Sequence, residues 1–168
     1  SLADLAGFEA SANVIGRYTD EYQVIVVLSA VKGVTDLLLS AIDTAVEGGD
    51  GAGHLAEAIA REQAIVRALS EKGVETPLGS AFLQEQQEVL GRRIEGIRLL
   101  GQCPDETRAW ILASGEGFSS RLMVDLLNHR GFRAQWSDTD VLPLANEHCL
   151  DSLVDTEAAA PLLKARVE

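Results

Sequence analysis

Apolar and polar positions alternate along this chain with two different periods, and the change of period marks its elements. Leu5, Phe8, Ala12 and Ile15 recur at helical spacing after Ser1 and Asp4, whose separation is that of an N-capping box with Asp in place of Glu. An amphipathic helix is predicted to about Tyr18. Residues 24–28 then form an unbroken run of β-formers, Val-Ile-Val-Val-Leu, followed by a polar loop with Ser29, Ala30, Lys32 and Gly33 and by an apolar helical run from Thr35 to about Glu47. This succession of strand, loop and helix predicts an open α/β sheet, in which ligands bind beyond the carboxyl end of a strand at a helix N-terminus. Ser29, Thr35 and Asp36 are therefore site candidates, although Thr35 also suits a plain helix cap.

The stretch from Gly48 to Gly51 stops this helix, and two long helices follow over about 54–72 and 80–100. Leu55, Ile59, Ile65, Val66 and Leu69 stripe the first; Leu83, Leu90, Ile94 and Ile97 stripe the second. A loop with Pro77 and Gly79 joins them into a helical hairpin, read as a packed insertion or lid because too few heptads are present for a coiled coil. Pro104 suits the first turn of a helix; residues 107–113 read as helix, although the short run Trp110-Ile111-Leu112 fits a strand as well, Ser114-Gly115-Glu116 interrupts, and a helix runs from Phe118 to about Arg130. Residues 134–136 are predicted as a short strand ending at Ser137-Asp138, and a last helix covers about 155–166.

Length and composition narrow the class. At 168 residues and 46% apolar content the chain is one domain or part of one. A formal charge of −12, from 26 acidic and 14 basic side chains, without any basic cluster, argues against nucleic acid as a partner. Cys103 and Cys149 have neither metal nor disulfide-scaffold spacing and read as reduced, buried thiols. No apolar run approaches the ~20 residues of a membrane span, so a cytoplasmic location and no membrane partner are expected. His54, His129 and His148 lack metal-ligand spacing, and the commonest nucleotide and acyl-transfer signatures, GxGxxG, the Walker loop and GxSxG, do not occur.

Two polar loops remain as candidate chemistry. Beside the loop at 29–36 stands Ser114-Gly115-Glu116, where glycine lets the backbone approach a ligand and the carboxylate suits an ammonium group. Glutamate in a first helical turn is equally explained by the helix dipole, and Arg121 by an ion pair.

VVLSAVKGVTDLL at 26–38, SGEGFSSRLMVDLLNHRG at 114–131 and QWSD at 135–138 together resemble the N-terminal half of the aspartokinase family. The opening SLADLAGFEASANVI resembles the helix after that family's Lys-Phe-Gly-Gly-Thr-Ser motif, with Ser1 as the motif's last residue. LLGQCPD at 99–105 is more similar to the kinase part of bifunctional aspartokinase–homoserine dehydrogenases. The resemblance implies the three-layer α/β amino acid kinase (carbamate-kinase-like) fold in part, with a mainly parallel sheet and a long helical hairpin. Residues 1–168 would be its N-terminal, aspartate-binding portion.

It implies transfer of the ATP γ-phosphoryl group to the side-chain carboxylate of L-aspartate, with Mg and ATP as cofactors, in amino-acid biosynthesis, and a homo-oligomeric parent. Ser29, Ala30, Thr35 and Glu116 match positions that hold aspartate, and Ser1 borders the nucleotide. Ser119 matches a helical serine beside the Glu with a structural part, and Asp138, at the end of a strand, is read as orienting a loop. The family's catalytic lysine and phosphate-cradling glycines would precede Ser1 and its nucleotide half would follow Glu168, so no catalytic residue is assigned and the piece by itself is expected to be inactive. A non-catalytic helical interaction module, or a kinase acting on glutamate or acetylglutamate, are the other readings.

Overall fold

A computed structural model describes residues 2–138, 142–144, 146 and 150–167 of the chain. Among them the regular structure is helical throughout: α1 (Leu5–Gly16), α2 (Val34–Val46), α3 (Ala52–Glu71), α4 (Pro77–Leu100), α5 (Asp105–His129) and α6 (Thr156–Val167). Their sole β pairing is an isolated antiparallel bridge between Leu144 and Val154. The expected α/β fold with its parallel sheet is thereby corrected.

The reason lies in what a strand requires. A β-prone run is stable only when its backbone pairs and one face is covered, and residues 23–28 find no partner strand among the described residues. They form no regular element, with Ile25 73% and Val27 93% exposed. Residues 134–136 fail as a strand for a more local reason. The Asn128 side chain accepts from the Ala134 N–H (2.8 Å) and donates to its carbonyl (3.2 Å), taking both groups a ladder would need.

The helices were legible in outline, and their ends moved. Asp4 caps α1, its carboxylate accepting from the Gly7 N–H at 2.9 Å; Ser1, expected to cap it and to border the nucleotide, lies outside the described residues, as do His148 and Cys149. Pro77 is the first residue of α4 rather than part of a loop, which suits a ring with fixed φ and no N–H to lose. The α4 N-terminus is capped from across the fold: Asp125 of α5 accepts from Leu78 N–H (3.2 Å) and Gly79 N–H (2.8 Å). Burial pushes the Asp125 carboxyl up, and these two hydrogen bonds act against that push.

The core is one apolar cluster. It gathers Leu38, Ala41, Ile42 and Ala45 of α2, Leu55, Ile59, Ile65 and Leu69 of α3, Leu83, Leu90, Ile94 and Ile97 of α4, and Ile111, Phe118, Leu122 and Met123 of α5. Helix α2 packs against α3, α4 and α5, so the α3–α4 hairpin is built into the core and is no lid. Helix α1 closes one side, burying Phe8 and Ala12 and held by Lys72 on Glu9 (2.6 Å) and by Arg130 on Asn13 (2.8 Å).

Candidate functional site

The loop before α2 is fixed from three directions. Its backbone is tied to the chain start by the Lys32 N–H, which donates to the Leu2 carbonyl at 3.1 Å. Ala30, Val31 and Val34 are buried beneath it. Gly33 caps α2 with φ +81°, a left-handed conformation that side chains resist. From α3, the Arg61 guanidinium lies against Gly33 and donates to the Lys32 carbonyl at 3.4 Å, while its other nitrogen pairs with Glu57 at 2.7 Å.

From α5 comes the closest approach. A Cβ at Gly115 would stand 2.7 Å from Ala30 Cβ and 3.3 Å from Val34, so only glycine lets α5 meet the loop here. This contact brings together two of the sequence candidates, the loop at 29–35 and Ser114-Gly115-Glu116. It also corrects one expectation, since the triplet does not interrupt a helix: α5 is continuous from Asp105 to His129, and Ser114 Oγ donates to the Ile111 carbonyl at 2.7 Å within it. Glu116 therefore owes nothing to a helix N-terminus, and the dipole explanation for it falls away.

Each candidate side chain has a definite place. Ser29 and Thr35 are exposed, Ala30 is buried and Glu116 is half-buried. Thr35 is the second residue of α2 and Gly33 takes the cap position, so the plain capping role for Thr35 is not realised. Asp36 is exposed in the same first turn. Ser119, one turn beyond Glu116, is fully buried with an Oγ that has no hydrogen-bond partner.

Arg121 lies over the rings of Phe82 (3.9 Å) and Trp136 (3.7 Å) and donates to the Gly117 carbonyl at 2.8 Å. Trp136 Nε1 in turn donates to Ser120 Oγ at 3.1 Å. Arg121 thus fastens residues around 136 to α5 by stacking between the two rings.

Sequence reasoning missed Glu62. It belongs to α3, is 5% exposed, and its Oε1 has no hydrogen-bond partner. Burial, and next the Glu116 carboxylate, push its carboxyl up from the ordinary 4.5 to about 8. A signal existed: Glu62 stands on the apolar stripe, three residues after Ile59 and three before Ile65, where a carboxylate breaks the pattern.

Glu62 and Glu116 flank the loop from two helices, each next in sequence to the residue that touches it, Arg61 or Gly115. Such a pair is suited to a donor-rich cation, and the loop's hydroxyls to an anionic group. Among the described residues no group of acids, histidines and cysteines has the makings of a metal site. An apolar groove of about 320 Å³, lined by Val14, Ile15, Val26 and Leu28, lies between α1 and residues 23–28 and shares no residue with the acids. No described helix is long and apolar enough to cross a membrane.

No protein-family model matches the chain. Curated proteins do. The chain is 30% identical over 92% of its length to a bifunctional aspartokinase/homoserine dehydrogenase of Buchnera aphidicola, of which it covers 19%. It is 32% identical over 76% of its length to the chloroplastic aspartokinase 2 of Arabidopsis thaliana, covering 23% of that protein, and 27% identical over 82% of its length to aspartokinase 1 of the same plant, covering 24%. The chain thus spans about a fifth to a quarter of these relatives.

Proposed function

The chain is related to the aspartokinases over most of its length, and from that premise we propose that it forms the aspartate-binding side of a longer kinase. The whole protein transfers the γ-phosphoryl group of Mg-bound ATP to the side-chain carboxylate of L-aspartate, giving 4-phospho-L-aspartate. The observation that carries this reading is the apposition of Gly115 to Ala30 and Val34, which puts Glu116 beside the loop of Ser29 and Thr35.

The chemistry of the substrate fits this arrangement. Aspartate presents one ammonium group and two carboxylates. Glu116, half-buried and coupled to a second carboxyl, offers charge-assisted acceptance for the ammonium. The Ser29 and Thr35 hydroxyls and the backbone at the first turn of α2 offer donors to a carboxylate. Phosphoryl transfer depends on positioning and on neutralising charge, so these residues bind and orient the acceptor. With about a fifth of its relatives' length present, the groups that cradle ATP and Mg come from other parts of the whole protein.

The test is aspartate-dependent, Mg-ATP-dependent acyl phosphate formation by the full-length gene product, trapped as the hydroxamate. Glu116→Ala raises the aspartate KM and cuts product formation at subsaturating aspartate; a variant that keeps wild-type aspartate affinity would remove Glu116 from the ammonium role. A second reading, an assembly module without catalysis, is favoured by the all-helical architecture and by Leu99 and Leu100, 71% and 70% exposed at the end of the hairpin. It predicts no acyl phosphate at any aspartate concentration.

A further inference from the structure

Among the described residues three buried polar side-chain atoms have no hydrogen-bond partner: Glu62 Oε1 on α3, Gln86 Oε1 on α4 and Ser119 Oγ on α5. They are not scattered. Helix α4 places Phe82 against Gly117 and Arg93 over Trp110, so Gln86, between the two, falls level with the turn of α5 that carries Glu116. Ser119 is one turn from Glu116 on the same helix, and Glu62 is coupled to Glu116 from α3. An orphaned acceptor in a protein interior costs on the order of 1–3 kcal/mol and calls for a donor. Glu62 and Gln86 present acceptor oxygens, and a primary ammonium group carries three donors and no acceptor.

Resting on the aspartate reading of this site, we propose that Glu62 is a positioning residue of the Glu116 site: it keeps the proton of the carboxyl pair in the unliganded protein and yields it to solvent when a primary ammonium docks, so that amino-acid binding releases a proton. The O–H bond of the Glu62 carboxyl breaks, the proton passes to buffer, and N–H···O bonds to the two carboxylates form. The ammonium keeps its hydrogens.

The electrostatics agree. A buried carboxyl facing a second carboxylate resists ionisation, and Glu62, raised to about 8, stays neutral near pH 7. Several other charges on the surrounding helices pair with one another. Glu9 of α1 pairs with Lys72, Asp43 of α2 with Arg108, Glu88 and Glu95 of α4 with Arg92 and Arg98, and the adjacent Arg61 with Glu57. Among the described residues, Glu116 is the charge that acts on Glu62. A bound cation supplies the missing compensation, returning the carboxyl to its ordinary range.

Calorimetry of L-aspartate binding to the full-length protein, in buffers of differing ionisation enthalpy from pH 6 to 9, reads this directly. About 0.9 proton is released per aspartate at pH 7, about half a proton at pH 8, and almost none at pH 9. Glu62→Gln abolishes the release and weakens aspartate binding, since one carboxylate acceptor for the ammonium is lost. Binding by the wild type without proton release overturns the inference and leaves the aspartate site standing. Release that persists in Glu62→Gln overturns it as well, and no aspartate binding at all overturns the site reading and this inference together. The wild-type measurement decides without any variant, and Glu62→Asp, which keeps a titrating group, retains the release.

Discussion

Replacing Glu62 by glutamine should stabilise the fold at neutral pH, and the size of the gain follows from its burial. In the unfolded chain this carboxyl titrates near 4.5; in the fold it titrates near 8. Between those values the unfolded state has lost its proton and the folded state has kept it, so stability falls as pH rises through the interval. Below about pH 4.5 both states are protonated and the term is absent, and above about 8 it is complete. Each pH unit in the interval is worth about 1.4 kcal/mol, which puts the whole penalty on the order of 4–5 kcal/mol. Glutamine has the same shape and never ionises, so Glu62→Gln escapes it. Urea unfolding at pH 4.5, 6, 7 and 8.5, followed by far-UV circular dichroism, should show wild-type stability declining across the series relative to the variant. The two curves converge at pH 4.5 and separate by about 3–4 kcal/mol at pH 7. A constant offset between the curves, or a variant less stable than wild type at pH 8.5, would refute the assignment of a buried neutral carboxyl.

Gly115→Ala sets a methyl 2.7 Å from Ala30 Cβ. The contact is anchored in backbone, so overpacking outweighs the helix propensity gained, with a net loss of about 1–2 kcal/mol in thermal melts and a weaker aspartate KM in the full-length enzyme. Asp125→Ala leaves the buried Gly79 N–H and the part-buried Leu78 N–H without their acceptor and should cost about 2–3 kcal/mol, with Asp125→Asn recovering part of it. Arg121→Ala removes the cation between Phe82 and Trp136, costs about 1–2 kcal/mol, and should red-shift tryptophan emission as Trp136 leaves α5. Asp4→Ala, removing the α1 cap, should lower the melting temperature by the few degrees that about 1 kcal/mol represents.

How far the sequence could be read depended on whether each signal was local. The helices of the α3–α4 hairpin were legible because their stripes, such as Leu55, Ile59, Ile65 and Leu69, bury one face whatever else the chain does. The run at 24–28 was not, because β-branched residues report a liking for a pleated, covered surface, and whether such a surface exists is decided elsewhere. Ile25 and Val27 stand in solvent for want of a neighbour, not for want of propensity.

Ser114-Gly115-Glu116 shows the same division at a site. Ser and Gly in sequence suggest a helix break, whereas Gly115 is the residue that lets an unbroken helix reach Ala30. Glu62 carries the sharper lesson. A carboxylate in an apolar stripe is a local contradiction, and such contradictions concentrate where a fold gives up stability for chemistry. The stripe that revealed α3 also held its exception at position 62, and Asp125, polar within Leu122-Met-Val-Asp-Leu-Leu127, is another of the kind. What separates them is the partner. Asp125 finds two backbone N–H groups waiting and serves the fold, while Glu62 meets another carboxylate, an arrangement that costs stability unless a positive charge joins it.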